Sequence, residues 1–153
     1  LMRDEELVLG VSSAPAAGEL AWAFKGRGAF LDNKQIKVSD VDTLDAASVS
    51  TGNIGSLASS DRWNNLGTIL AQANRTRGYG DYYHYHRLAA GQLDAVIESD
   101  VNILDIAALS VIATEAGAVF TDLQGRPLAM DTTSVLAAPP ALHQKLLETL
   151  NAG

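Results

Sequence analysis

A chain of 153 residues, 47% of them hydrophobic, is long enough to bury one substantial core, which excludes extended disorder. Eleven Lys and Arg against eighteen Asp and Glu give a net charge of −7, which argues against nucleic acid and anionic membranes as partners. Cysteine is absent, which excludes disulfides and thiolate chemistry. No apolar run approaches the ~18 residues of a membrane span, and no signal-peptide layout is present, so we expect a cytoplasmic protein.

The first forty residues predict a series of short antiparallel hairpins, because apolar runs alternate with glycine- and asparagine-containing turns. The predicted strands cover residues 7–12, 20–24, 29–31 and 36–39. Leu1 and Met2 are interpreted as the end of an earlier paired strand. A hairpin series needs a second layer over its apolar face, so we expect one face to be exposed in this chain.

After residue 40 the pattern changes to helices alternating with strands. Predicted helices cover residues 62–73, 81–90, 105–116 and 140–150, and predicted strands cover 47–51, 93–98, 118–121 and 134–138. Asp61 is a candidate N-cap of the first helix, and Gly91 and Gly117 are expected to end the second and third. This order predicts one layered α/β domain with a mixed sheet.

Two glycines precede the helix that begins at Asp81. Exposed amides at a helix start, reached closely because Gly78 and Gly80 have no side chain, suit an anionic ligand. An ordinary turn also explains the two glycines, and the pattern alone favours that explanation.

The aromatic residues of this region allow two interpretations. Tyr79, Tyr82 and Tyr83 share one helix face and could form a platform for a ring-bearing substrate. Packing of that face into the core is the favoured alternative. His84 and His86 are two residues apart and face different directions on a helix, so they form a poor metal pair and are expected to be surface or hydrogen-bonded histidines.

Two acidic residues, Glu98 and Asp105, bracket a loop between a strand end and a helix start, where ligands bind in layered α/β proteins. A carboxylate at a helix N-terminus is kept ionised by the helix amides, and an ionised oxygen is the ligand that Mg²⁺ prefers. The alternative for Asp105 is an ordinary N-cap. The remaining acids are scattered, so the sequence does not visibly supply a complete Mg²⁺ site.

Seven segments share their order and residue types with one known family. They are Gly10–Ser12, Phe24–Phe30, Lys37–Ser39, Arg77–Asp81, Ala89–Ala95, Leu104–Ala108 and Thr114–Asp122. Together they closely resemble the inositol monophosphatase family, whose W-D-x-A-A and E-A-G-G blocks match the last two segments. The turn at Gly80 is most similar to the bacterial histidinol-phosphatase branch, whose members often have an aromatic residue after G-D.

The resemblance implies an α-β-α-β-α fold and Mg²⁺-dependent hydrolysis of a small phosphorylated metabolite. In this family two or three metal ions activate water for in-line attack on phosphorus. The resemblance makes Asp105 a metal ligand at the substrate site. It also makes Glu98, Gly80, Asp81 and Tyr82 contacts of the substrate's organic part.

Three departures from the family pattern bear on these expectations. Leu104 replaces the tryptophan of W-D-x-A-A, which we interpret as a packing change, and Ala118 replaces the second glycine of E-A-G-G, which is tolerable at a negative φ. The family's metal-binding glutamate and its D-P-x-D-G-T segment have no counterpart here. We therefore expect residues 1–153 to form a partial domain, the C-terminal half of the fold without the upstream metal-binding half, and with no catalytic residue of its own.

Two functions remain open at this point. The first is a Mg²⁺-dependent phosphatase acting on a histidinol phosphate or inositol phosphate type of substrate, in which this chain alone is inactive and the protein is a homodimer. The second is a non-catalytic domain that keeps the fold for assembly or binding.

Overall fold

The computed structural model describes residues 1–153 and begins with six short strands. These are β1 (Met2–Arg3), β2 (Glu6–Leu7), β3 (Leu9–Ala14), β4 (Glu19–Phe24), β5 (Ala29–Leu31) and β6 (Lys34–Ile36). The rest of the chain alternates helices and strands. These are β7 (Ser48–Gly52), α1 (Ile54–Ala58), α2 (Trp63–Gln72), β8 (Arg75–Arg77), α3 (Asp81–Ala89), β9 (Ala95–Ser99), α4 (Ile103–Glu115), β10 (Val119–Thr121), β11 (Ser134–Ala138) and α5 (Pro140–Leu150).

The strands form two main sheets. The first is antiparallel, with four strands in the order β3-β4-β5-β6. The second has five strands in the order β10-β11-β9-β7-β8, in which β7 runs parallel to β8 and β9 while β11 runs antiparallel to β9 and β10. The mixed α/β architecture predicted from the sequence is therefore confirmed.

The side chains of β9 show how the sheets and helices are layered, because they enter two different cores. On β9, Val96 belongs to the core shared with α3, α4 and the four-stranded sheet, whereas Ala95 and Ile97 belong to the core shared with α2 and α5. Successive residues of a strand point to opposite faces, so the five-stranded sheet is covered on both sides. The order of layers is four-stranded sheet, α3 with α4, five-stranded sheet, then α2 with α5.

Helix α4 lies directly on strand β3. A Cβ atom added at Gly10 would be 2.2 Å from the carbonyl oxygen of Ala108, which is backbone and cannot rotate away. Glycine at this position therefore allows the close approach of helix and strand that holds the middle of α4 beside β3.

The outer face of the four-stranded sheet is not covered by any element of the chain. Val11, Leu20 and Phe24 are exposed there, and Trp22 stacks on Phe30 with ring centroids 4.3 Å apart. The inward residues of the same strands, such as Ala21 and Ala23, are fully buried. The hairpins thus leave an apolar face exposed, as the sequence indicated.

Met2 lies in the short strand β1, where it pairs with Leu7 of β2. Two local details differ from the sequence prediction. Asp61 is not an N-cap, because α2 begins after Arg62 without a side-chain cap. Helix α1 was not predicted.

Other boundaries moved by a few residues. The last hairpin strand is Lys34–Ile36 instead of 36–39, because Asp32 and Asn33 form the whole turn with left-handed φ values of 49° and 61°. Gly91 and Gly117 follow the ends of α3 and α4 with φ values of 67° and 103°, which confirms both as helix-ending glycines. None of the helices combines the length and apolar character that crossing a bilayer requires.

Candidate active site

A pocket of about 660 Å³ lies where β3, the starts of α3 and α4, and the ends of β7 and β9 meet. Strands β7 and β9 are parallel neighbours, so their C-terminal ends lie at one edge of the five-stranded sheet. Ligands of layered α/β proteins bind at such edges. Every residue that the sequence singled out for this site lines the pocket: Gly80, Asp81, Tyr82, Glu98 and Asp105.

Glu98, near the end of β9, is only 5% exposed. Its Oε2 atom accepts hydrogen bonds from the Tyr85 hydroxyl at 2.6 Å and from Nε2 of His84 at 3.1 Å. Burial, and then the adjacent Glu98 carboxylate, raises the pKa of the Tyr85 phenol well above its ordinary value. Tyr85 therefore remains protonated and donates to Glu98.

The other Glu98 oxygen lies against the backbone of β7. A Cβ atom at Gly52 would be 2.2 Å from Oε1 of Glu98, so glycine is needed for the carboxylate to adopt this position. Both oxygens of the buried carboxylate are thus restrained, one by hydrogen bonds and one by close packing.

Asp105 is exposed and is the third residue of α4, which begins after Asn102. Oδ1 of Asn102 accepts from the Leu104 amide at 2.9 Å, and Oδ2 of Asp105 accepts from the amide and side chain of Asn102 at 3.2 and 2.6 Å. This is a capping box. The N-cap is therefore Asn102, and the interpretation of Asp105 as the N-cap is wrong. Oδ1 of Asp105 has no hydrogen-bond partner in the chain.

The turn before α3 presents its backbone and one carboxylate to the pocket. Gly80 is the N-cap, and Asp81, the first residue of α3, is exposed with a left-handed φ of 53°. Tyr82 is half-buried, with its ring edge-on to those of Tyr83 and His86.

The tyrosines do not pack as the sequence suggested. Tyr83 is 37% exposed and meets Tyr79 edge-on at 5.2 Å, while Tyr85 is the tyrosine fully in the core. The favoured interpretation of Tyr79, Tyr82 and Tyr83 as a core face is therefore wrong for Tyr83, whereas Tyr79 and Tyr82 are half-buried and Tyr82 packs against the core.

Three non-glycine residues with left-handed backbones line the same pocket: Asn53, Asp81 and Asp100, with φ values of 52°, 53° and 57°. Such conformations are uncommon outside glycine and concentrate at functional sites. The Asn53 side chain donates to the carbonyl oxygens of Ser99 and Asp100 at 2.7 and 3.4 Å, which ties the loop after β9 to the start of α1. Sequence reasoning missed Asn53 and Asp100, because backbone strain leaves no signal in a single sequence.

The two histidines of α3 are both inaccessible to solvent and both hydrogen-bonded, so of the two predicted alternatives they are the hydrogen-bonded one and not surface residues. His84 reaches Glu98 in the five-stranded sheet. His86 reaches the four-stranded sheet, with Nε2 at 2.8 Å from Ser12 and Nδ1 at 3.2 Å from Glu19. Burial lowers the pKa of His86 more than its contacts with Glu19 raise it.

The charge of the pocket has one sign. Four carboxylates line it and no Lys, Arg or His does; the acidic residues are Asp81, Glu98, Asp100 and Asp105. Such a lining creates a negative potential that attracts cations. Leu104 lies on the rim and is 88% exposed, so the residue that replaces tryptophan does not pack within residues 1–153. Ala118 has no positive φ, so alanine is accommodated without strain.

The carboxylates do not converge on one point. No group of three His, Asp or Glu residues in the chain could hold a metal ion. Asp105, with an exposed carboxylate and one oxygen without a hydrogen-bond partner, fits the requirements of a single ligand. A metal centre at this pocket would therefore need further ligands that these residues do not supply.

The layered α/β fold that carries this pocket is shared with known proteins. The chain matches the inositol monophosphatase family over residues 1–153 and belongs to it. Among solved structures, the extragenic suppressor protein suhB of Bartonella henselae is similar with a TM-score of 0.88 and 26% identity, over 97% of this chain and 58% of that one. Inositol monophosphatase II of Staphylococcus aureus has the same fold, with a TM-score of 0.90 at 23% identity, over 98% of this chain and 57% of that one.

Sequence relatives include both histidinol-phosphatases and inositol monophosphatases. The histidinol-phosphatase of Streptomyces coelicolor is 35% identical over 149 residues, which cover 94% of this chain and 56% of the relative. The histidinol-phosphatase of Mycobacterium tuberculosis is 34% identical over 158 residues, 100% of this chain and 60% of the relative. An inositol monophosphatase of Dictyostelium discoideum is 34% identical over 155 residues, 96% and 56% of the two chains. The chain thus spans between half and two thirds of the length of these relatives.

Proposed function

We propose that this chain forms the substrate-recognising part of a Mg²⁺-dependent phosphatase for histidinol phosphate or a similar amine-bearing phosphate monoester. Four carboxylates line the pocket and no Lys, Arg or His side chain does, and this observation carries the proposal. Histidinol carries a protonated amine, whereas inositol is neutral. A negative pocket favours the former. Histidinol-phosphatases among the relatives support the same choice.

Two parts of the pocket wall contact the organic part of the substrate in this proposal. Glu98 accepts a hydrogen bond from the amine or hydroxyl groups of the organic part, and the Gly80–Asp81–Tyr82 turn borders the same part. Because Glu98 is buried, its bond to substrate is shielded from water and is stronger than a bond at the surface.

Asp105 is proposed as one ligand of the metal. Bound Mg²⁺ would lower the pKa of a water molecule and neutralise the phosphate charge. The capping box holds the Asp105 carboxylate in a fixed orientation at the pocket rim, so this ligand is positioned before any ion arrives. A single carboxylate binds Mg²⁺ weakly, so we expect residues 1–153 alone to bind the ion poorly and to hydrolyse no phosphate monoester.

Inositol phosphate is the second candidate substrate, since a relative of similar identity is an inositol monophosphatase. The test is phosphate release by the full-length protein from histidinol phosphate and from inositol phosphate, each with Mg²⁺. We expect kcat/KM to be at least about 10-fold higher for histidinol phosphate, the effect of one well-placed charged contact. The reverse order would favour inositol phosphate.

Turnover of neither substrate, with the protein folded, would favour the non-catalytic alternative. The Asp105→Asn protein serves as the blank for contaminating phosphatases. The cytoplasmic location, the homodimer and the assignment of residues 1–153 to the C-terminal half of the fold stay predictions.

A further inference from the structure

We infer that His84 and Tyr85 are positioning residues that leave Oε1 of Glu98 as the one oxygen free to bind substrate. Ser50 links them to the glycine turn before α3. This inference deepens the proposed function, because it rests on Glu98 as the contact for the organic part of the substrate.

The first step concerns the two oxygens of Glu98. Both protein donors converge on Oε2, with Tyr85 at 2.6 Å and His84 at 3.1 Å, while Oε1 has no hydrogen-bond partner in the chain. A carboxylate held by two donors on one oxygen cannot rotate without breaking both bonds. The remaining oxygen therefore keeps a fixed direction beside Gly52.

The second step concerns the proton on His84. A carboxylate only accepts, so Nε2 of His84 carries the hydrogen and, in the neutral ring, Nδ1 is an acceptor. Nδ1 lies 3.5 Å from Oγ of Ser50, whose hydroxyl can donate to it. The same hydroxyl oxygen accepts from the Tyr79 amide at 3.1 Å. The hydrogen bonds thus all run in one direction: the Tyr79 amide donates to Ser50, Ser50 to His84, and His84 to Glu98.

The third step concerns burial. Ser50 and His84 have no accessible surface and Tyr85 has 1%, so water does not compete for these hydrogen bonds. This series of hydrogen bonds connects two walls of the pocket, the turn at Gly78–Gly80 and the end of β9. A displacement of the turn is therefore passed to the Glu98 carboxylate through fixed polar contacts.

A purely structural role for these residues predicts a different outcome from a positioning role. Losing a buried hydrogen bond lowers stability in both cases. Only a positioning role also changes KM for a substrate that contacts Glu98 while leaving kcat nearly unchanged, because the contact is made equally in ground and transition states. His143 provides a control, since it is also a buried hydrogen-bonded histidine but contacts Thr121, away from the pocket.

The experiment compares full-length variants by kinetics and by crystal structure. Tyr85→Phe and His84→Leu remove one donor each. His84→Gln restores an N–H donor near the original position. Tyr83→Phe and His143→Leu are the matched controls. We expect Tyr85→Phe and His84→Leu to raise KM for histidinol phosphate about 5- to 10-fold, the effect of one hydrogen bond to a charged group. We expect His84→Gln to recover part of the wild-type KM. Both controls should leave KM unchanged.

The crystal structures decide the inference independently of catalysis. We expect the Glu98 carboxylate to rotate, or to occupy two conformers, in Tyr85→Phe and in His84→Leu but not in the controls. An unmoved carboxylate with unchanged KM would overturn the inference. If the wild-type protein does not hydrolyse histidinol phosphate, the proposed function fails, and the position of the carboxylate in the two variants alone decides whether His84 and Tyr85 position it.

Discussion

Asp105 uses its two carboxylate oxygens differently. Oδ2 accepts from Asn102 and completes the capping box of α4, whereas Oδ1 has no partner in the chain. Replacement by asparagine keeps an oxygen for the cap but removes the negative charge that a metal ligand needs.

We therefore expect Asp105→Asn in the full-length protein to abolish turnover while its melting temperature changes by less than about 4 °C. Phosphate release at saturating Mg²⁺ and a thermal melt provide the two measurements. A wild-type rate would refute the metal-ligand role, and a large fall in melting temperature would mean that the charge itself stabilises the helix start.

Glu98 allows a similarly conservative test. In Glu98→Gln the amide oxygen can still accept from both Tyr85 and His84, because both bonds end on Oε2. The amide nitrogen then replaces Oε1 and donates instead of accepting. We expect KM for histidinol phosphate to rise about 10-fold with little change in folding. A large loss of thermal stability with unchanged kinetics would make Glu98 a structural residue.

His143 gives the protein a stability that depends on pH. Burial lowers the pKa of His143, and that of His86, below the ordinary value of 6.5. The unfolded state then binds more protons than the folded state as the pH falls through this range. The contribution of the neutral histidines to the free energy of unfolding is complete above about pH 6.5. It is lost progressively as the pH decreases from there toward their lowered pKa in the folded state.

We expect the free energy of unfolding, measured by urea denaturation, to decrease between about pH 7 and pH 5.5. The decrease should be smaller in His143→Gln, which has one fewer titrating group. An identical slope in wild type and variant would contradict the assignment to His143.

At the scale of elements, the contact of α4 with β3 depends on one glycine. A methyl group at Gly10 would collide with the backbone of Ala108, whereas a methyl group at Gly67 in α2 meets no atom within 4 Å. We expect Gly10→Ala to lower the free energy of unfolding by about 2–3 kcal/mol through overpacking. Gly67→Ala should instead raise it by up to about 1 kcal/mol through helix propensity. Chemical denaturation measures both, and equal effects would contradict the close packing at Gly10.

The elements that the sequence predicted well are those with a strong periodic pattern. The apolar faces of α2 and α5 and the short apolar run of β9 were sufficient to identify them. Helix α1 was missed because five residues containing glycine and serine carry no periodic signal. Strand β6 was displaced because its first two residues, Lys34 and Gln35, are polar and exposed and so give no apolar signal for a strand.

The site was predicted only in part for a related reason. Glu98 and Asp105 could be singled out because they flank a strand end and a helix start that are close in sequence. The partners of Glu98 could not, since His84 and Tyr85 approach it only when α3 packs on β9. Hydrogen bonds of this kind depend on tertiary packing, which no local pattern encodes.

At the scale of the whole molecule, the outer face of the four-stranded sheet determines how residues 1–153 behave alone. Leu20 and Phe24 on β4 are 42% and 39% exposed beside the stacked Trp22 and Phe30. Contiguous exposed apolar surface promotes association.

We expect the isolated 153-residue chain to self-associate in analytical ultracentrifugation, and the double change Leu20→Lys with Phe24→Lys to shift it toward monomer. Met130→Lys is the control, because Met130 is 74% exposed but lies outside this face. A monomeric wild-type chain, or an equal effect of the control, would refute the role of the sheet face.

The attachment of α3 to both sheets has a consequence for how the molecule opens. His84 ties this nine-residue helix to β9, and His86 ties it to β3 and β4. Local unfolding of α3 would break buried polar contacts on both sides at once, leaving groups in each sheet without partners. The helix therefore joins the two sheets into one cooperative unit, and we expect the amide hydrogens of its buried side to exchange with solvent only in openings that break its contacts with both sheets.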